Sequence, residues 1–222
     1  MFPLQDNTPR KHFPFVNYAI IALTIYIFFL QLTAPDFERF VNVYGFIPAA
    51  FKFSNPSTYP PVLYSMFLHG GFFHIISNLW FLRVFGDNVE DVFGHIKYLL
   101  FYILGGVVAV LAQYMVAPHV TVPLVGASGA ISAVAGAYFV YFKNSRVKSL
   151  VTLVFFWTVI DLSAAVVLGY WFIVQVVSGL GSLTMVGDAN EGGVAFFAHV
   201  GGFAFGYLTA RVLGMGRSAQ SA

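Results

Sequence analysis

Residues 15–33 read FVNYAIIALTIYIFFLQLT, a run without one charged side chain. At 1.5 Å per residue a helix over it is ~28 Å long, close to the ~30 Å hydrocarbon thickness of a bilayer. A short polar stretch with Arg10 and Lys11 precedes it. Leu32-Thr33-Ala34-Pro35 then leads into a charged segment rather than a small-residue cleavage site. The run therefore reads as a retained membrane helix and not as a signal peptide. Similar runs lie near 66–86, 97–117, 126–142, 163–180 and 194–212. They are too long for barrel strands and lack period-2 alternation.

Composition says the same of the whole chain. Its 222 residues are 59% hydrophobic and only 9% charged, against about 25% charged in soluble domains. The mean hydropathy is +0.79. The chain has no cysteine, which removes disulfides, thiolate catalysis and Cys-ligated metal. A net charge of +2 gives no reason to expect a nucleic-acid partner. The expected architecture is an all-α membrane protein, a six-transmembrane-helix bundle over residues 15–213, with a short N-terminus (1–14) and a short C-terminal tail (214–222). Ser149 to Gly179 is too long for one span, so Asp161 is taken to divide it, with 149–161 at the membrane interface. Residues 36–62 form the longest loop. Its Phe37, Phe40, Phe46, Phe51 and Phe53 suggest a segment lying partly in the bilayer surface.

Six spans put Arg10, Lys11, Arg83, Lys97, Lys143, Arg146, Lys148, Arg211 and Arg217 on one side and only Arg39 and Lys52 on the other. By the bias of Lys and Arg toward the cytoplasm, both termini are expected there.

Four polar features interrupt the apolar runs: His69, His74 with Asn78, Gly126-Ala-Ser128-Gly129, and His199 before Gly201-Gly202. Counting helical rise from the cytoplasmic ends, Ser128 lies ~22 Å above Lys143, and His199 and His74 lie ~18 Å above Arg211 and Gly86. The three share one level in the outer half of the membrane, where polar groups are costly unless they pair or meet water. A serine hydroxyl and an imidazole form the simplest nucleophile and base. Ser128, Ser132, Ala135 and Gly136 share one helix face, and Gly202, Gly206 and Ala210 continue the face of His199. Such small-residue stripes let membrane helices come close.

Pro123 and Gly126 break the chain before the fourth span, which places Ser128 in a first turn with unpaired N–H groups. His74 and Asn78 are four apart, on one helical face, and both can donate to an oxyanion. Each feature has a structural alternative: Ser128 as an N-cap, His199 or the His74–Asn78 pair as interhelical hydrogen bonders, and the glycines as packing. Their common depth favours the reactive reading. His69 is expected to be structural, and His12, His95 and His119 to be loop residues. His69 and His74 are five apart, no HExxH occurs, and no carboxylate shares the level of His199, so no metal is expected and a Ser–His pair stands without an acidic third member. Asp161 could serve as an intramembrane proton relay, but an interfacial place suits it better.

At these residues the chain resembles the rhomboid family of intramembrane serine proteases. The likeness rests on His69-Gly-Gly-Phe-Phe-His74-Ile-Ile-Ser-Asn78, Gly126-Ala-Ser-Gly129 and Ala198-His199-Val-Gly-Gly202, in order on the second, fourth and sixth spans, with Gly86-Asp-Asn-Val-Glu90 as a further similarity. The resemblance implies Ser128 as nucleophile, His199 as general base, and His74, Asn78 and the Ser128 N–H as oxyanion donors. It also implies an endopeptidase that cuts transmembrane helices of other proteins in a lipid bilayer, near the outer side, without cofactors. The loop about Gly181–Gly192 resembles the family's cap over the site. Two positions depart from the family: Pro60-Pro61 stands where a Trp-Arg pair is common, and Ser132 where an aromatic side chain often packs on the histidine. A prokaryotic plasma membrane is the expected location. Two other classes remain open: a catalytically weak or inactive relative that binds membrane-protein clients, and a small-solute transporter. Retention of both Ser128 and His199 weighs against the first, and the lack of paired ionisable residues or repeats at midplane against the second.

Overall fold

The computed structural model describes residues 1–153, 156–184 and 194–212. A strand, β1 (Phe2–Asp6), opens the chain. Then come α1 (Phe15–Thr33), the short α2 (Phe37–Tyr44) and α3 (Pro60–Tyr64), α4 (Phe72–Phe93), α5 (His95–Val116) and α6 (Ser128–Phe142). Two strands, β2 (Arg146–Leu153) and β3 (Phe156–Ser163), lead to α7 (Ala164–Thr184) and α8 (Phe196–Val212). Among the described residues, α1, α5 and α7 are long and apolar enough to cross a membrane.

α6 is the centre of the bundle. Every residue from Gly129 to Tyr138 is buried, on all sides of the helix, as expected of a helix that is apolar all round. Its small residues let neighbours approach to backbone distance. A Cβ at Gly202 would fall on the carbonyl oxygen of Gly129, one at Gly206 on that of Ala133, and one at Gly136 on that of Phe203. On α5, a Cβ at Gly105 would lie 2.6 Å from the Ala133 Cβ. In a lipid setting such packing, not water exclusion, holds helices together.

The second apolar run departs most from its expected bounds. Residues 65–67 form a 3-10 turn, and α4 starts at Phe72 and continues past Gly86 to Phe93. The charged turn is helical because its carboxylates are used from within the fold. Glu90, buried, accepts from the backbone N–H of Val16 (2.9 Å) and Asn17 (2.7 Å) and so caps α1. Asp91 accepts from the N–H groups of Lys11 and His12, and Asp87 pairs with Arg10 at 2.8 Å. Negative groups suit a helix N-terminus. Two histidines expected to be loop residues are tied into this turn: His95 begins α5 with Nδ1 2.5 Å from Glu90, and His12 Nδ1 lies 2.7 Å from Asp91. Gly94, at φ +76°, makes the corner between α4 and α5.

The 36–62 segment is also more integrated than a surface loop. Phe46 and Phe51 are buried with Val62 against Val107, Val110, Leu111 and Tyr114 of α5, while Phe53 stays exposed. The run closes through a bridge between Phe46 and Leu124, which anchors the approach to α6.

The all-α expectation is corrected by a three-stranded antiparallel sheet in the order β1-β2-β3. Residues 149–153 and 156–161 thus lie in two paired antiparallel strands, with Lys148 paired to Asp161, and the N-terminal segment is the third strand. β1 is also fastened to α4: Trp80 Nε1 donates to the Pro3 carbonyl at 2.8 Å, and Phe2 packs on Trp80 and Phe81. At its other end the Asp6 carboxylate accepts from Tyr138 Oη (2.7 Å) and Asn88 Nδ2 (2.9 Å), which ties the strand to α6 and α4.

Burial holds the Asp6 carboxyl above its usual range, with the bonds from Tyr138 and Thr8 pulling the other way. A carboxyl raised in this way stabilises the fold fully below its unfolded value of 3.8, and that contribution is lost as pH rises through the folded value. Wild type should therefore gain thermal stability relative to Asp6→Asn as pH falls from neutrality toward about 4. Melting of both proteins in detergent across that range checks this, and a pH-independent gap between them would refute it.

Candidate active site

Three helices bring the polar residues of the sequence together. Pro123 and Gly126 end the preceding segment, and α6 begins at Ser128 itself. Gly126 has φ +127°, a conformation that favours glycine, and its N–H donates to the Ser65 carbonyl at 2.9 Å. A Cβ there would also lie 2.7 Å from His74 Nε2. The turn and the close approach of the imidazole thus both require a glycine before Ser128.

Ser128 Oγ lies 2.7 Å from His199 Nε2. The shared depth read from helical rise becomes direct contact because α6 and α8 pack through Gly129, Ala133, Gly136, Gly202 and Gly206. A hydroxyl at this distance can pass its proton to an imidazole nitrogen as the oxygen attacks a carbonyl. Ser132 turns away from that role and donates to the Ser128 carbonyl at 2.5 Å.

His74 and Asn78, one turn apart on α4, line the same cavity of about 1290 Å³ as Ser128 and His199. Gly70 N–H approaches His74 Nδ1 at 3.4 Å. With that nitrogen as acceptor, the proton sits on Nε2, the atom beside Gly126. Asn78 Nδ2 is buried and has no hydrogen-bond partner. Buried donors are nearly always satisfied, so an unpaired amide N–H on a cavity wall is a donor held ready for something that enters. His69 sits outside this group: it is fully buried, its backbone N–H and carbonyl both bonded to the Gln31 side chain.

Three residues without any motif complete the surroundings of His199. Gln175 Oε1 on α7 is 2.7 Å from His199 Nδ1. Trp171, one turn earlier, places its ring 5.7 Å from the imidazole at 38°. The aromatic contact missing at Ser132 therefore comes from α7. Gln113 of α5 accepts with Oε1 from the N–H groups of Phe197 and Ala198, and so caps the helix that carries His199. The signal available for all three was a side chain with hydrogen-bonding capacity inside an otherwise apolar span.

Met1, Phe2, Phe81 and Trp171 also line the cavity, so β1 reaches the region between α4 and α7. Most of the segment expected to act as a cap, residues 185–192 of Gly181–Gly192, lies outside the described residues. Among the described residues no group of three or more His, Asp or Glu side chains is placed to hold a metal ion.

Apolar helices joined through glycine contacts, with a largely apolar cavity between them that carries a few polar side chains, define a membrane helical bundle with an interior site. The family model described as "Rhomboid domain" matches residues 57–216. The chain belongs to the rhomboid family. It is 26% identical over 202 residues to "Rhomboid protease GluP" of Bacillus subtilis (strain 168), an alignment covering 91% of this chain and 35% of that protein. It is 27% identical over 150 residues to "RHOMBOID-like protein 6, mitochondrial" of Arabidopsis thaliana, covering 67% and 42%. It is 31% identical over 147 residues to "RHOMBOID-like protein 4" of the same plant, covering 66% and 32%. The chain spans less than half the length of these relatives.

Proposed function

We propose that this protein is an intramembrane serine endopeptidase that hydrolyses peptide bonds in or near transmembrane helices of other membrane proteins. Ser128 is the nucleophile and His199 the base. The observation that carries this reading is the 2.7 Å approach of Ser128 Oγ to His199 Nε2 at a cavity wall that also holds the unpaired Asn78 amide. Six helices cross the bilayer, both termini face the cytoplasm, and the membrane is a prokaryotic plasma membrane. The charge asymmetry supports that orientation.

The chemistry follows from the positions. Ser128 Oγ attacks a substrate carbonyl while His199 Nε2 takes the hydroxyl proton. The oxyanion receives hydrogen bonds from Asn78 Nδ2, His74 Nε2 and the Ser128 N–H, one of the four that α6 leaves unpaired at its start. His199 then protonates the leaving amine, and water hydrolyses the acyl-enzyme along the reverse route. A carbonyl inside a helix is already hydrogen-bonded, so the substrate must unwind locally. Sites rich in small or helix-destabilising residues are favoured for that reason.

Mass spectrometry of a single-span reporter incubated with purified protein in liposomes tests the reading. Two complementary fragments are expected, along with covalent labelling of Ser128 by a fluorophosphonate. An intact reporter and an unlabelled serine would instead point to a client-binding member without activity. Within the reading, Asn78→Ala should lower kcat about 10²–10³-fold with little change in KM, as loss of one oxyanion donor does. Steady-state kinetics on the same reporter check this, and an effect confined to KM would remove Asn78 from the oxyanion site.

A further inference from the structure

The expected pair of serine and histidine has no acidic third member, yet the imidazole is bonded at both nitrogens. Nε2 faces Ser128 Oγ and Nδ1 faces Gln175 Oε1, each at 2.7 Å. Both side chains are buried, His199 and its partner Gln175 alike. An amide oxygen only accepts. The contact therefore requires the proton on Nδ1, which leaves the lone pair of Nε2 pointing at the serine hydroxyl. The opposite tautomer would set two acceptors against each other at 2.7 Å and turn an N–H toward Ser128, where it cannot take a proton.

We infer that Gln175 is the positioning residue of this site: it holds His199 in the tautomer able to accept the Ser128 proton and steadies the imidazolium that results. The inference rests on the roles proposed for Ser128 and His199. A neutral amide suits the setting. A carboxylate would bind the imidazolium more strongly but would place a second charge inside the bundle, where desolvation is costly. Trp171 lies four residues before Gln175, on the same face of α7, and covers the imidazole ring. Orientation of the base is thus assigned to α7, whereas the base and nucleophile come from α8 and α6. If α7 moves away from α8, both the ring contact and the acceptor are withdrawn from His199, and the serine loses its activated partner.

The test combines a spectroscopic and a kinetic readout on Gln175→Met, which keeps length and helix preference but removes the strong acceptor, and Gln175→Glu, which restores an accepting oxygen. In ¹⁵N spectra of histidine-labelled protein, with the His199 signals assigned by their loss in His199→Asn, wild type should show a protonated Nδ1 and an unprotonated Nε2. Gln175→Met should show a mixture or the reverse, and Gln175→Glu should return the wild-type pattern. On the reporter, Gln175→Met should lose about 10–100-fold in kcat, the usual cost of removing a group that orients another, with KM unchanged and kcat largely recovered in Gln175→Glu. A Gln175→Met protein that keeps the Nδ1–H tautomer and its kcat overturns the inference. Equal losses in both variants with an unaltered tautomer also overturn it, since they would mark a packing role. If wild type cleaves nothing, the proposed activity fails, but the spectra still decide whether Gln175 sets the tautomer.

Discussion

Ser128→Ala and His199→Ala should each reduce reporter cleavage by at least about 10⁴-fold, and the double variant should be no worse than either alone. Members of a nucleophile–base pair act as a unit, so removing one forfeits most of what both contribute. The physical reason lies in the 2.7 Å contact. An isolated serine hydroxyl is a weak nucleophile at neutral pH, and a base without a hydroxyl beside it has no proton to take. Residual activity of each variant would come from the donors of Asn78 and His74, which still polarise a bound carbonyl. The measurement is single-turnover cleavage of the reporter, with fluorophosphonate labelling as a second readout. Ser128→Ala should melt close to wild type, because α6 and α8 pack through their glycines. His199→Ala empties a buried ring site beside Trp171 and leaves the Gln175 amide without its partner, so it should melt somewhat lower while staying folded. Unchanged cleavage by both would remove this dyad from any mechanism.

Much of the bundle was legible because the decisive signals are local. The first apolar run coincides with α1, and the runs at 97–117, 126–142 and 194–212 fall within two residues of α5, α6 and α8. Small residues at helical spacing on two runs already implied that α6 and α8 approach closely, and that approach brings Ser128 to His199. What escaped was set by distant partners. β1 pairs with β2 across the four long helices α1, α4, α5 and α6, and no local pattern announces such a pairing. β2 and β3 were hidden for a different reason. In a chain this apolar, Leu150, Val151, Phe156, Trp157, Val159 and Ile160 extend the hydrophobic run into α7, and most described side chains of β3 are exposed on both faces, so no period-2 burial accompanies them. The end of the second span was misjudged because charged residues normally leave a membrane helix. Here Asp87, Glu90 and Asp91 stay helical by bonding the N-terminal segment.

The polar residues divide in the same way. Ser128, His199, His74 and Asn78 stand in short motifs whose spacing carries chemistry. Gln175, Gln113 and Gln31 are single amides in apolar helices, and each matters through a backbone or ring it meets from another part of the chain. An amide alone in a span signals only that a partner exists, and finding that partner takes the fold.

The second large effect is expected from a residue that takes no part in the chemistry. Gly206→Ala adds one methyl group, and the added carbon would fall on the Ala133 carbonyl oxygen, with the Ala133 carbonyl carbon 2.6 Å away. A backbone carbonyl on a buried helix cannot rotate aside as a side chain can, so α8 must shift away from α6. Ala is the better helix former by ~0.5–1 kcal/mol, and overpacking of a tight core costs about 1–3 kcal/mol, so a net loss of stability is expected despite the propensity gain. The catalytic consequence is larger. His199 rides on the same helix, and a displacement near 1 Å at a reacting pair costs about 10²-fold in rate. Gly169→Ala on α7 is the matched control: its Cβ would meet Phe139 at 3.9 Å, an ordinary contact, so the same chemical change should leave melting and cleavage close to wild type. Thermal melting in detergent and kcat on the reporter, measured for both variants, separate the two cases. If Gly206→Ala melts and cleaves like Gly169→Ala, close backbone approach of α6 and α8 is not what holds the hydroxyl against the imidazole.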